Sequence, residues 1–138
     1  MLVRPITKEE RLQSAQLFAI AFESPFDPND LTPFAENPCI WAAFDEESGE
    51  MMSTVYVTDY RVQFDGGRYK MGGIGGVASL PQYRRAGGIR ACFQKALPIL
   101  YREGYVFSYL YPFSTAYYRK FGYESCVQRY LAVLDLRQ

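Results

Sequence analysis

Arg84-Arg85-Ala86-Gly87-Gly88-Ile89 lies between an apolar run, Ile74 to Leu80, and a helical pattern that begins at Gly87. A strand that passes through a glycine-containing turn into a helix leaves the first-turn amides without carbonyl partners. Those N–H groups, with the positive end of the helix dipole, bind phosphate. Gly87 and Gly88 would let a ligand approach the main chain, and Arg84, Arg85 and Arg90 surround that approach with positive charge. The residues therefore predict a phosphate compound held by the amides of 85–90. The other glycine cluster, at positions 72, 73, 75 and 76, is costly in an ordinary strand. It reads as a bulge or a close backbone approach, or else as a flexible loop.

Charge distribution supports an anionic ligand. The net charge is zero, but residues 1–65 hold 12 acids against 4 bases, residues 66–102 hold 7 bases and no acid, and residues 103–138 hold 4 bases against 3 acids. The middle third is suited to an anion, and the first third to a cation or simply to water. Because the bases concentrate on one turn and helix, nucleic acid is not expected as a partner.

With no histidine in the chain, Ser-His, Cys-His and His-metal chemistry are excluded, and no metal is expected. Cys39, Cys92 and Cys126 are odd in number and widely spaced, which suits buried small residues better than disulfides or a zinc site. Gly73 to Ala78 resembles a dinucleotide fingerprint, but no helix starts there and no acid lies nearby to take a ribose hydroxyl. A P-loop fails for want of Gly-Lys-Ser/Thr.

The elements that must position these residues follow from periodicity. At 138 residues and 49% apolar content, a single domain over 1–138 is expected. No long apolar run and no signal-peptide pattern at Met1 to Pro5 is present, so a cytoplasmic protein without membrane contact is expected. Val3 to Ile6 reads as a strand. Thr7 to Glu10 reads as a capping box opening a helix with Leu12, Ala15, Ala19 and Phe22 on one face, ending near Glu23. Leu31 to Glu36 suggests a short helix, and strands are expected at Cys39 to Phe44, Met51 to Phe64 and Arg68 to Leu80, the last two joined by a turn at Asp65-Gly66-Gly67. A helix from Gly87, with Ile89, Phe93, Ala96 and Leu100 aligned, stops at Gly104. Tyr105 to Tyr111 is a strand, Ser114 caps a short helix through Phe121, and Val127 to Leu136 is a final strand. The order β-α-α-β-β-β-α-β-α-β describes a mixed α/β (α+β) sheet with helices on its faces.

With the arginine-glycine turn in place and Tyr118-Arg119-Lys120-Phe121-Gly122-Tyr123 about thirty residues on, the chain resembles the GCN5-related N-acetyltransferase (GNAT) superfamily. Arg84 and Gly87 match its Arg/Gln-x-x-Gly-x-Gly/Ala signature, and Ile89 departs from the final small position. That departure is similar to the enhanced intracellular survival (Eis) type, whose members normally continue into further C-terminal domains and use their own C-terminal carboxylate in catalysis. That carboxylate is not carried onto Gln138.

The resemblance implies a mostly antiparallel sheet with a splayed strand pair for acetyl-CoA. It implies cofactor contacts from Val77, Ala78, Ser79, Arg84, Arg85, Ala86, Gly87, Gly88, Ile89, Arg90, Phe113 and Ser114, and Tyr118 as the catalytic proton donor. Tyr118 also suits a core position, and Tyr117 is the alternative phenol. A strand amide near Val77 could polarise the thioester carbonyl. Phe22, Glu23, Phe26 and Asp27, with Asp30 and Phe34, are candidates for the amine site; the acids suit helix caps or solvated charges better. The function expected is direct, ternary-complex acetyl transfer from acetyl-CoA to a primary amine of a small cationic molecule or an exposed lysine. The alternative is a non-catalytic CoA-binding module or a truncated Eis-like domain inactive alone. Homo-oligomerisation and missing C-terminal domains are both compatible with the pattern.

Overall fold

A computed structural model of the chain describes residues 1–29, 39–128 and 130–133. In chain order these form β1 (Leu2–Pro5), α1 (Arg11–Phe22), β2 (Cys39–Phe44), β3 (Met51–Phe64), β4 (Gly67–Ser79), a 3₁₀ turn (Pro81–Tyr83), α2 (Gly88–Arg102), β5 (Tyr105–Leu110) and α3 (Thr115–Arg119). The five strands lie side by side in chain order. All neighbours are antiparallel except β4 and β5, which run parallel because α2 connects them. This is the mixed, mostly antiparallel sheet with flanking helices that the sequence predicts.

Side-chain alternation puts one core on each face. Trp41, Ala43, Val55, Val57 and Ile74 pack with Cys92, Phe93, Ala96 and Leu100 of α2 and with Tyr118. Ala42, Phe44, Met51 and Ala78 pack with Leu17 of α1 on the opposite face. Apolar on both sides, β2 is a continuous buried run. Asp65 and Gly66, at φ 45° and 75°, make the tight turn between β3 and β4.

Several expectations are corrected. The buried stripe of α1 is Ser14, Ala15, Leu17 and Ala19, while Leu12 and Phe22 face outward. Ser14 faces inward because its hydroxyl finds the Tyr56 hydroxyl at 2.7 Å. Only half of the capping box forms: the Glu10 carboxylate accepts from the Thr7 N–H at 2.8 Å, and it also pairs with Arg4 at 2.7 Å. Of the cysteines, Cys92 is buried, Cys39 half-buried and Cys126 exposed. β4 stops at Ser79 and β5 at Leu110, one residue short of expectation, and α3 stops at Arg119, two short. The described part of the expected final strand, residues 127–128 and 130–133, has no regular structure. The expected helix at Leu31 to Glu36 lies outside the described residues.

Gly88 fixes how α2 meets the sheet. A Cβ there would sit 2.4 Å from Ser53 Oγ, 2.9 Å from Ser53 Cβ and 3.3 Å from Ala43 Cβ. Gly88→Ala is therefore expected to lower stability by about 1–3 kcal/mol, read as a shift in the urea midpoint. Adding Ser53→Ala should recover part of that loss, since the closest clash is with the hydroxyl.

Candidate active site

The candidate site lies where β4 and β5 part. Their register runs from Lys70 opposite Tyr105 to Ile74 opposite Leu110 and stops there. Beyond it, Pro112 follows β5, and Gly75 to Ser79 of β4 have β3 on one side and no β5 partner on the other. Within this stretch Gly76 and Val77 drop out of the β3 register as well, forming a bulge between the Tyr56–Gly75 and Thr54–Ala78 pairs. Gly76 adopts φ +50°, and its Cβ position would lie 2.5 Å from the Tyr56 ring, so only glycine fits. Thr54 Oγ1 donates to the Gly76 carbonyl at 3.0 Å and holds the bulge. The glycine cluster is thus a bulge inside a strand rather than a loop.

At the end of β4 the chain turns through Pro81–Tyr83 into α2. Arg84 N–H donates to the Pro81 carbonyl at 3.3 Å and Ala86 N–H to the Tyr83 carbonyl at 3.2 Å. The amides of Arg85, Gly87, Gly88, Ile89 and Arg90 have no hydrogen-bond acceptor among the described residues; the first helical bond is from Ala91 to the Gly87 carbonyl at 3.0 Å. Gly87 is the helix N-cap, at φ +87° with open space around its Cβ position, and it has no side chain to satisfy these donors. The two glycines therefore differ: Gly87 leaves the approach open, and Gly88 is buried against the sheet. Arg84, Arg85 and Arg90 are exposed and form no ion pair with the described residues.

Tyr118, on α3, is only 5% exposed and stands in the α2-side core, edge-on to Phe93, Tyr123 and the exposed Phe113. It also lines a cavity of about 560 Å³ with Ser108, Leu110, Pro112 and Thr115. The ring thus packs in the core and also reaches the cavity wall. Burial, then the neighbouring Tyr117 and Tyr123 phenols, push its pKa up to about 12, so it is a fully protonated donor at neutral pH. Tyr117 packs beside it and is also raised, chiefly by burial. The Cys92 thiol is pushed up to about 12 by burial, which leaves it protonated and a poor nucleophile.

Not all expected residues converge. Ala78 belongs to the α1-side core, so only its main chain faces the gap. Ser114 spends its hydroxyl as the α3 N-cap, accepting from Tyr117 N–H at 3.3 Å. Phe22 is half exposed, its ring tilted against Phe18 at 4.4 Å, and Phe18 in turn meets Tyr56 at 5.9 Å, so a row of rings joins the end of α1 to the β4 bulge. Glu23 is the exposed C-cap of α1 in the left-handed region, its main-chain N–H donating to the Ala19 carbonyl, and the Asp27 carboxylate accepts from Asn29 N–H at 2.8 Å. Phe26 is half-buried, and Asp30 and Phe34 lie outside the described residues.

Residues the sequence did not single out are Phe18, Tyr56, Ser108 and Glu124. Ser108 Oγ contacts the Gly72 carbonyl at 3.2 Å and the Tyr123 hydroxyl at 2.6 Å, clasping β4, β5 and the post-α3 segment just below the fork. Glu124 lines the cavity beside Tyr118 but is held by Arg119 through two hydrogen bonds of 2.7 and 2.8 Å. None of the four belongs to a motif; Glu124 directly follows the Tyr118–Tyr123 segment.

Residues 2–126 match the acetyltransferase (GNAT) domain family model, and the chain belongs to that family. Its class is that of an N-acetyltransferase domain. Among solved structures it is similar to a conserved Enterococcus faecalis protein described as a probable N-acyltransferase, at 34% identity and TM-score 0.81, over 89% of this chain and 32% of that one. The fold is shared with a Trypanosoma brucei acetyltransferase (18% identity, TM-score 0.76, 96% and 99% covered). It is shared too with Eis1 of Mycobacterium abscessus (19% identity, TM-score 0.73, 89% and 31% covered). The chain thus spans about a third of the Enterococcus protein's length. Comparison with curated proteins found no significant match. Among the described residues, no helix is long and apolar enough to cross a membrane, and no group of three or more ligating side chains could hold a metal.

The raised phenol gives a direct prediction. Because its folded pKa is higher, Tyr118 contributes stability that is intact below its ordinary value of 10 and is lost as pH rises from there to about 12. A difference ultraviolet titration between the protein and Tyr118→Phe is expected to show the missing phenol ionising near the upper value.

Proposed function

We propose that the chain transfers an acetyl group from acetyl-CoA to the primary amine of a small cationic molecule or an exposed lysine, by direct attack within a ternary complex, and that residues 1–138 act as one GNAT unit. The observation that carries this reading is the row of unpaired amides at the start of α2, continuous with the stretch of β4 that has no β5 neighbour. A diphosphate fits the first, with Arg84, Arg85 and Arg90 as counter-charges, and an extended amide-containing arm fits the second by adding hydrogen bonds along Val77 to Ser79. Acetyl-CoA joins these two chemistries in one molecule.

In this proposal the main-chain amide at Val77, on the bulge in the stretch of β4 that has no β5 neighbour, polarises the thioester carbonyl. The amine nitrogen forms its bond to that carbon as the carbon–sulfur bond breaks. Tyr118 gives its phenolic proton to the departing thiolate, and its raised pKa keeps that proton in place beforehand. An alkylammonium must lose a proton to attack; the acid-rich first third of the chain attracts the cation, and a carboxylate there, or a water it holds, takes the proton. The rings of Phe22, Phe18 and Tyr56 wall the approach from α1.

Calorimetry with coenzyme A and thiol release from acetyl-CoA over a panel of aminoglycosides, polyamines, amino acids and lysine peptides test the reading. Tyr118→Phe is expected to lower kcat by about 10²-fold or more, the usual worth of a positioned proton donor. Arg84→Ala with Arg85→Ala should raise KM for acetyl-CoA, since charge-assisted contacts contribute about 1.5–3 kcal/mol each. Coenzyme A binding and stabilisation without transfer to any amine would instead mark a non-catalytic module.

A further inference from the structure

The turn that carries Arg84 to Gly87 is exposed along most of its length, and its own hydrogen bonds are the short-range ones of a 3₁₀ turn, 3.0 to 3.3 Å. Such a segment needs an external tie if its amides are to stay aimed at a ligand. One tie comes from the β2–β3 hairpin. Tyr83 hydroxyl donates to Glu50 Oε2 at 2.8 Å, and Gln82 Nε2 donates to Glu50 Oε1 at 3.4 Å, so consecutive residues of the turn take the two oxygens of one carboxylate.

The hairpin presenting that carboxylate is itself built rigidly. Asp45 N–H donates to the Glu50 carbonyl and Gly49 N–H to the Asp45 carbonyl, both at 2.9 Å, while Asp45 Oδ2 accepts from Ser48 N–H at 3.1 Å and Ser48 Oγ at 2.7 Å. Below it, the Tyr83 ring packs on the core of Leu17, Phe44, Met51 and Leu80. Glu50 is directed at two neutral donors and forms no ion pair with Arg84 or Arg85, which leaves their charge available to an anion.

We propose that Glu50 is a positioning residue for the coenzyme site: through Tyr83 and Gln82 it holds the Arg84–Gly87 turn so that the α2 amides face one point. This rests on the proposed reading of those amides as the CoA diphosphate site. The test measures coenzyme A affinity, acetyl-CoA kinetics and amide hydrogen exchange at residues 84–90 for the parent, Glu50→Ala, Glu50→Gln and Tyr83→Phe.

One hydrogen bond is worth about 0.5–1.5 kcal/mol, so Glu50→Ala and Tyr83→Phe should each weaken coenzyme A binding about 2- to 10-fold. They should raise KM for acetyl-CoA with kcat unchanged, and speed exchange at 84–90 without ligand. Glu50→Gln keeps the acceptor and should bind within about twofold of the parent. Equal behaviour of the Ala and Gln variants, or parent-like binding and exchange in both Glu50→Ala and Tyr83→Phe, overturns the proposal. If the parent binds no coenzyme A, the acetyltransferase reading fails and the role assigned to Glu50 falls with it, whereas the exchange measurement still shows whether the tie exists.

Discussion

The contact on which the rest depends is the seating of α2 on the sheet at Gly88. A helix that starts this close to β2 and β3 cannot carry a side chain at its first position, because Ser53 and Ala43 already occupy the space. Once seated there, the helix has its unpaired N-terminal amides at the end of β4, beside the stretch that β5 has left. The amides and the open strand edge are separate features of the chain, and this single close approach brings them into line.

The other half of the arrangement is a failure of pairing. β5 matches β4 as far as Leu110 and then departs toward Pro112, so the sheet forks. An unpaired strand inside a sheet leaves N–H and C=O groups that need partners. The bulge at Gly76 and Val77 adds to this by withdrawing two residues from β3 as well. The fork is fastened below by Ser108, which touches β4, β5 and Tyr123 together, so its opening is confined to one end.

Much of this was legible in order along the chain. β2 and β3 coincide with their expected spans, and the Asp65-Gly66 turn has the positive φ angles its residues favour. The start of α2 was legible because two adjacent glycines fall between a strand and a helical pattern. The α1 stripe is not legible, because Ser14 is polar by type yet buried through a partner, Tyr56, 42 residues away. That Gly88 is packed against Ser53 and Ala43 is not legible, because sequence does not say which side of a helix a glycine leaves empty. Glu50 gave no signal at all: its partners, Gln82 and Tyr83, lie more than thirty residues on, and neither carries a charge.

By itself the sequence determined which chemistries are available: a histidine-free chain with a local run of cations, a glycine-marked helix start and a tyrosine at fixed spacing from it. Those properties belong to residue type and to neighbours within a few positions, where propensity and capping act. Only the tertiary structure decided which amides stay unpaired, that the Tyr118 phenol is buried enough to hold its proton to about pH 12, and that one of two adjacent glycines serves packing and the other access. Desolvation and steric fit depend on what arrives from distant parts of the chain, and no local pattern records it.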